Sequence, residues 1–110
     1  MATYSRVLLS GTTDGQPLVI VTGTTIHTAI AGSVAFDEVY IWASNIGTTT
    51  ATLSIDWGGT TNACTTVSIP ANSPPIPIMT GQVLNNAKLI KGTAVTASQI
   101  VVTGYVNRIV

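Results

Sequence analysis

The feature that most constrains this chain is its stock of β-branched residues laid down in alternation, with no competing helical stripe. Nineteen threonines, with many valines and isoleucines, sit in short runs where apolar and polar side chains alternate. Residues branched at Cβ are stiff about χ1 and suit a pleated strand better than a helix. Turn residues separate the runs at the spacing of a sandwich or barrel. The pattern predicts strands over Thr3–Leu9, Leu18–Thr22, Thr25–Ala31, Phe36–Asn45, Thr50–Trp57, Thr65–Ile69 and Ile100–Ile109, with shorter ones at Gln82–Leu84, Lys88–Ile90 and Thr93–Thr96. Asp14-Gly15, Gly23, Gly32 and Gly58-Gly59 punctuate them. Pro74, Pro75 and Pro77 have no N–H to give a ladder, so their stretch is an edge or a loop. The fold class expected is all-β: a single sandwich domain over residues 1–110, jelly-roll-like or Ig-like, with no significant helix.

Two of these strands can be read face by face. Val39, Ile41 and Ala43 share one face of the first; Ala51, Leu53, Ile55 and Trp57 share one face of the second. These faces are predicted to be core. The two strands are predicted to pair as a central hairpin, in which opposed residues share a face and the loop holds an odd number of residues. Three residues around Gly47, with a bulge, satisfy that. The opposite face is then a carpet of Thr and Ser on which two large aromatics, Tyr40 and Trp42, stand. Tyr40 and Trp42 are the candidate interface residues, because exposed aromatics are enriched where proteins meet. Two other readings compete: a second core layer under an arm of the same chain, and a sugar-stacking platform. The platform loses Trp57, whose phase places it with Leu53 and Ile55.

Charge removes several function classes. Only 7% of residues are charged, four basic against four acidic, for a formal net charge of +0. Nucleic acid binding needs Lys and Arg to displace counterions from phosphates, and a polybasic membrane surface needs them clustered. Arg6, Lys88, Lys91 and Arg108 are instead scattered. The expectation is no nucleic acid and no membrane partner. A hydrophobic fraction of 45% argues against disorder. No apolar run approaches the roughly 20 residues of a membrane helix. The start shows neither a basic nor an apolar signal region, so synthesis and folding in a cytoplasm are expected. Near neutrality also suits a protein that lives in an assembly, since a free one usually relies on net charge to stay dispersed.

Little in the chain can carry chemistry. His27 is the one histidine, and no Gly-x-Ser-x-Gly elbow accompanies it. It is expected to be a satisfied or exposed strand residue. The carboxylates Asp14, Asp37, Glu38 and Asp56 are dispersed, and adjacent Asp37 and Glu38 point to opposite faces of a strand. The lone Cys64 excludes an internal disulfide and any cysteine-based metal site, and is expected to be a small buried hydrophobe. No phosphate-cradling glycine motif is present. The expectation is no catalytic residue, no metal and no cofactor: not an enzyme.

Several stretches carry a resemblance: Ala2-Thr3-Tyr4-Ser5-Arg6-Val7, Phe36-Asp37-Glu38-Val39-Tyr40-Ile41-Trp42-Ala43, Asp56-Trp57-Gly58-Gly59-Thr60-Thr61, Ser68-Ile69-Pro70-Ala71 and Gly104-Tyr105-Val106-Asn107-Arg108-Ile109. Through them the chain resembles the small β-rich capsid decoration, or cement, proteins of tailed bacteriophages. The resemblance implies a jelly-roll-like or Ig-like sandwich, a virion location on the capsid surface and synthesis in the host bacterial cytoplasm. It also implies homotrimers that touch the major capsid protein and stiffen the shell. It assigns no functional residue. The alternatives are another small virion protein, from the tail or the head–tail connection, and a carbohydrate-binding module.

Overall fold

Alternation becomes burial along the longest strands. A computed structural model describes residues 3–59, 63–94 and 99–110. Nine strands lie within them: β1 (Tyr4–Leu8), β2 (Leu18–Ile20), β3 (Thr24–Thr28), β4 (Phe36–Asn45), β5 (Ala51–Trp57), β6 (Ala63–Ile69), β7 (Ile76–Leu84), β8 (Leu89–Ala94) and β9 (Ile100–Ile109). The described residues contain no helix, so none long and apolar enough to cross a membrane. In β4 every second residue is buried, from Asp37 through Val39, Ile41 and Ala43 to Asn45.

The strands form two antiparallel sheets. One, the β4 sheet, runs β1-β9-β4-β7, with β2 sharing the far side of β9 with β1. The other, the β5 sheet, runs β3-β8-β5-β6. From β2 onward, every step except β5 to β6 passes from one sheet to the other. That is the winding of a jelly roll, whereas an Ig-like sandwich keeps more of its hairpins within a sheet. Between the sheets, Val39, Ile41, Val102 and Val106 meet Leu53, Ile55, Ile69 and Ile90, all fully buried. Each such side chain contributes about 1.5–3 kcal/mol by leaving water.

The predicted phase is right, and the predicted hairpin is not. Val39, Ile41, Leu53 and Ile55 are buried in one cluster with Trp57 packed against it. Yet β4 pairs with β7 and β9, and β5 pairs with β6 and β8. The two strands face each other across the core. The link at 46–50 therefore carries the chain over the end of the sandwich. Asn45 holds that crossover: its buried amide donates to Thr49 O at 2.8 Å and Ile69 O at 3.0 Å, and its Oδ1 accepts the Gly47 N–H at 2.9 Å. Gly47 serves close approach, because a Cβ there would run into the Gln99 side chain.

Two further differences are local. The prolines and Gln82–Leu84 prove continuous in part: β7 begins at Ile76, includes Pro77, and reaches Leu84 by shifting register twice against β4. As an edge strand it tolerates the missing donor of Pro77. Lys88–Ile90 and Thr93–Thr96 merge into the single strand β8, whose Gly92 fits beneath Ile20 and Ile26. Val95 and Thr96, Thr60 and Thr61, and the Cys64 side chain lie outside the described residues.

Candidate interface

The two outer faces of the sandwich differ in chemistry. Register fixes which side chains share each one. On the β4 sheet, Tyr40 lies opposite Tyr105, Glu38 opposite Asn107, Trp42 opposite Thr103, and Leu8 opposite Tyr105 on its other flank. Among the described residues, four of the exposed large hydrophobics stand here: Tyr4 (71% exposed), Leu8 (52%), Val83 (52%) and Val19 (44%). The outer face of the β5 sheet is lined by Thr52, Ser54, Asp56, Thr66, Ser68, Lys91 and Thr93, and among the described residues no exposed large hydrophobic lies on it. The carpet and the aromatics expected on one face are therefore on opposite sides of the molecule, because β4 and β5 belong to different sheets.

The aromatics form a rigid group. The Tyr40 and Tyr105 rings stack with centroids 4.9 Å apart and 17° between planes. Trp42 lies 6.4 Å from Tyr40 and 6.0 Å from Tyr105. The Arg6 guanidinium sits 4.8 Å from the Tyr105 centroid. The Tyr40 hydroxyl donates to Glu38 Oε1 at 2.8 Å, which pushes its phenol above the ordinary pKa and keeps it a neutral donor. Glu38 also accepts from Asn107 Nδ2 at 3.3 Å. Tyr40 and Trp42 are half-buried, so a second core layer, which requires both to be fully buried, is not what forms. Tyr105 has Tyr40 stacked on it and the Arg6 guanidinium over its ring.

No family model, curated protein or solved structure matches this chain.

The other notable polar group is internal. His27 on β3 and Asp37 on β4 meet across the sheets, both fully buried, with His27 Nε2 and Asp37 Oδ2 2.8 Å apart. His27 Nδ1 accepts the Ser10 N–H at 3.0 Å, so Nε2 carries the hydrogen and donates it to Asp37. Asp37 also accepts Arg108 Nε at 2.8 Å and Nη2 at 3.0 Å, and the Ile30 N–H at 3.1 Å. Burial works to raise the Asp37 pKa, but the hydrogen bonds from Arg108 and His27 outweigh it and hold the carboxyl below its usual value. The same ion pair raises Arg108.

His27 is thus the satisfied core histidine, with a partner the sequence reading did not give it. Both ring nitrogens are occupied, so neither is free to take a proton from a substrate. Ser10 reaches the ring through its backbone, while its Oγ accepts the Thr28 N–H at 2.7 Å. A nucleophile–base contact is absent from this trio. Asp37 and Glu38 do face opposite ways, Asp37 into the core and Glu38 outward. Among the described residues no three His, Cys, Asp or Glu side chains gather as a metal-binding group. A shallow hollow of about 180 Å³ lies at one end, lined by Phe36, Val83, Leu84 and Asn85 without an ionisable side chain.

Proposed function

We propose that this protein is a non-enzymatic virion component that decorates a bacteriophage capsid, binding the outer surface of the major capsid protein shell and stabilising it. The observation that carries the reading is the segregation of apolar surface onto the outer face of the β4 sheet, with Tyr40 and Trp42 at its centre. At a strand spacing of about 4.8 Å and a rise of about 3.3 Å per residue, that face covers roughly 600 Å². The face as a whole, polar side chains included, is near the roughly 800 Å² that one partner gives to a stable complex. Its rings are already stacked, so little side-chain entropy is lost on docking. The resemblance to cement proteins supplies the partner and an assembly of three copies around an axis.

The test is binding of the purified chain to capsids of its phage. The wild-type chain co-sediments with the shell, and Tyr40→Ala/Trp42→Ala does not. Protein stoichiometry in whole virions separates the alternatives: a decoration protein is present in numbers comparable with the shell protein, a tail or head–tail connection component in far fewer. A wild-type chain that binds no shell leaves the proposal without support.

A further inference from the structure

We infer that the free edge of β6 is a self-association site, where β6 of a second copy of this chain adds antiparallel across a two-fold axis. An edge strand presents a row of unpaired N–H and C=O groups, and sandwiches guard such rows. Here the guards can be found edge by edge. The β3 edge is closed by the loop after β1: the Gly11 N–H donates to Ile26 O at 2.9 Å, and Ser10 Oγ accepts the Thr28 N–H at 2.7 Å. That loop lies so close that a Cβ on Gly11 would overlap the Thr25 and Ile26 carbonyl oxygens. The β7 edge contains Pro77, shifts register twice, and has its Thr80 N–H captured by Gln82 Oε1 at 2.9 Å. The remaining edge is made of two short pieces, five-residue β1 with Arg6 at its middle and three-residue β2.

β6 shifts register once, between Ala63 and Thr65, and beyond that point shows none of these devices. From Thr65 to Ile69 it runs in unbroken register against β5, without proline or charge. Among the described residues only Ile69 has a backbone group taken from elsewhere, its carbonyl by Asn45 Nδ2 at 3.0 Å. Among the described residues no side chain or loop hydrogen-bonds to the backbone of 65–68. The chemistry of the strand selects a second copy as the occupant. With no charged residue on β6 and a net charge of +0 on the chain, nothing repels an identical strand. In a register centred on Val67, exposed Thr66 faces the second copy's Ser68 on the outer side, a favourable cross-strand pair. On the inner side the half-buried Val67 meets its own copy.

Pairing of this kind joins two β5 sheets into one continuous sheet and consumes both open edges. The assembly therefore closes at the two-fold and does not grow into a filament. It leaves the outer face of the β4 sheet free and stands independently of the capsid reading. In a three-fold assembly the same contact would join two trimers into a closed hexamer.

The experiment is the particle mass of the full chain in solution at micromolar concentration, by sedimentation or light scattering. The expected mass is an even multiple of 11.3 kDa. Thr66→Lys/Ser68→Lys sets like charges along the seam at two exposed positions and is expected to halve it. Thr66→Glu/Ser68→Glu is expected to do the same, and mixing the two variants to restore the full mass. Trp42→Ala is expected to leave it unchanged. Because a charged variant can lose mass by misfolding, hydrogen exchange on the wild-type chain gives a second readout: the amides of 65–68 that point away from β5 are protected and lose protection on dilution, while those bonded to β5 stay protected. A wild-type mass of one or three chains, an open filament, full mass in the lysine variant, or a mass that Trp42→Ala alone reduces would each overturn the inference.

Discussion

Asp37 ties together three strands that the sequence separates widely. Its carboxylate takes Arg108 from β9 and His27 from β3 while sitting on β4. Replacing it by Asn leaves Arg108 without its counter-charge and is expected to cost about 3 kcal/mol, the low end for a broken buried pair because the Arg108 side chain is 28% exposed. The pH dependence follows from the lowered folded-state pKa of Asp37, where burial is outweighed by the bonds from Arg108 and His27. A depressed carboxyl contributes stability that is whole above its unfolded value of about 4 and is lost as pH falls through the folded value. Melting temperature of the wild-type chain should therefore drop below about pH 4 more steeply than that of Asp37→Asn. His27→Gln tests the other arm. It should cost about 1–3 kcal/mol, from the unsatisfied Ser10 N–H and Asp37 oxygen, and leave capsid binding intact. A loss of binding with stability unchanged would give the histidine a functional role.

At the scale of elements, the lesson is that phase is written locally and pairing is not. The period of two in β4 and β5 comes from each strand's own residues, and it names Val39, Ile41, Leu53 and Ile55 as core. Leu53→Ala should cost about 2–5 kcal/mol in denaturant melts, because the side chain is fully buried between the sheets. A loss below about half a kcal/mol would contradict its place in that core. The same alternation suits a hairpin or a crossover, so it cannot choose the partner strand. That choice rests on contacts distant in sequence, such as Asn45 with Ile69 and Asp37 with Arg108. The candidate interface was legible in the same partial way. Tyr40 and Trp42 stand outward, as their phase demands. Tyr105 and Arg6 join them only through the β1-β9-β4 register, which no local pattern encodes. β7 was legible only in part: the proline stretch allowed an edge or a loop, and the strand continues from Pro77 into Gln82–Leu84 by shifting register at the sheet edge.

For the whole molecule, what matters is that its two broad surfaces differ. The described chain measures 48 × 26 × 20 Å, a slab whose large faces are the outer sides of the two sheets. One is aromatic and one is a carpet of hydroxyls, so a partner that buries apolar area meets the β4 sheet. Charge has little part in the proposed contact. Among the described residues the charged side chains on the aromatic face are Arg6, already over Tyr105, and Glu38, already bonded to Tyr40 and Asn107. Arg108 is neutralised by Asp37. A contact of this composition is held by desolvation, and salt screens charge pairs without weakening burial. Capsid binding should therefore change little between low and high salt in co-sedimentation, and truncating Trp42 should weaken it far more than Arg6→Gln does. Binding that collapses at high salt, or that survives Tyr40→Ala/Trp42→Ala and is lost in Arg6→Gln, would mean that the face is read through its charge and not through its rings.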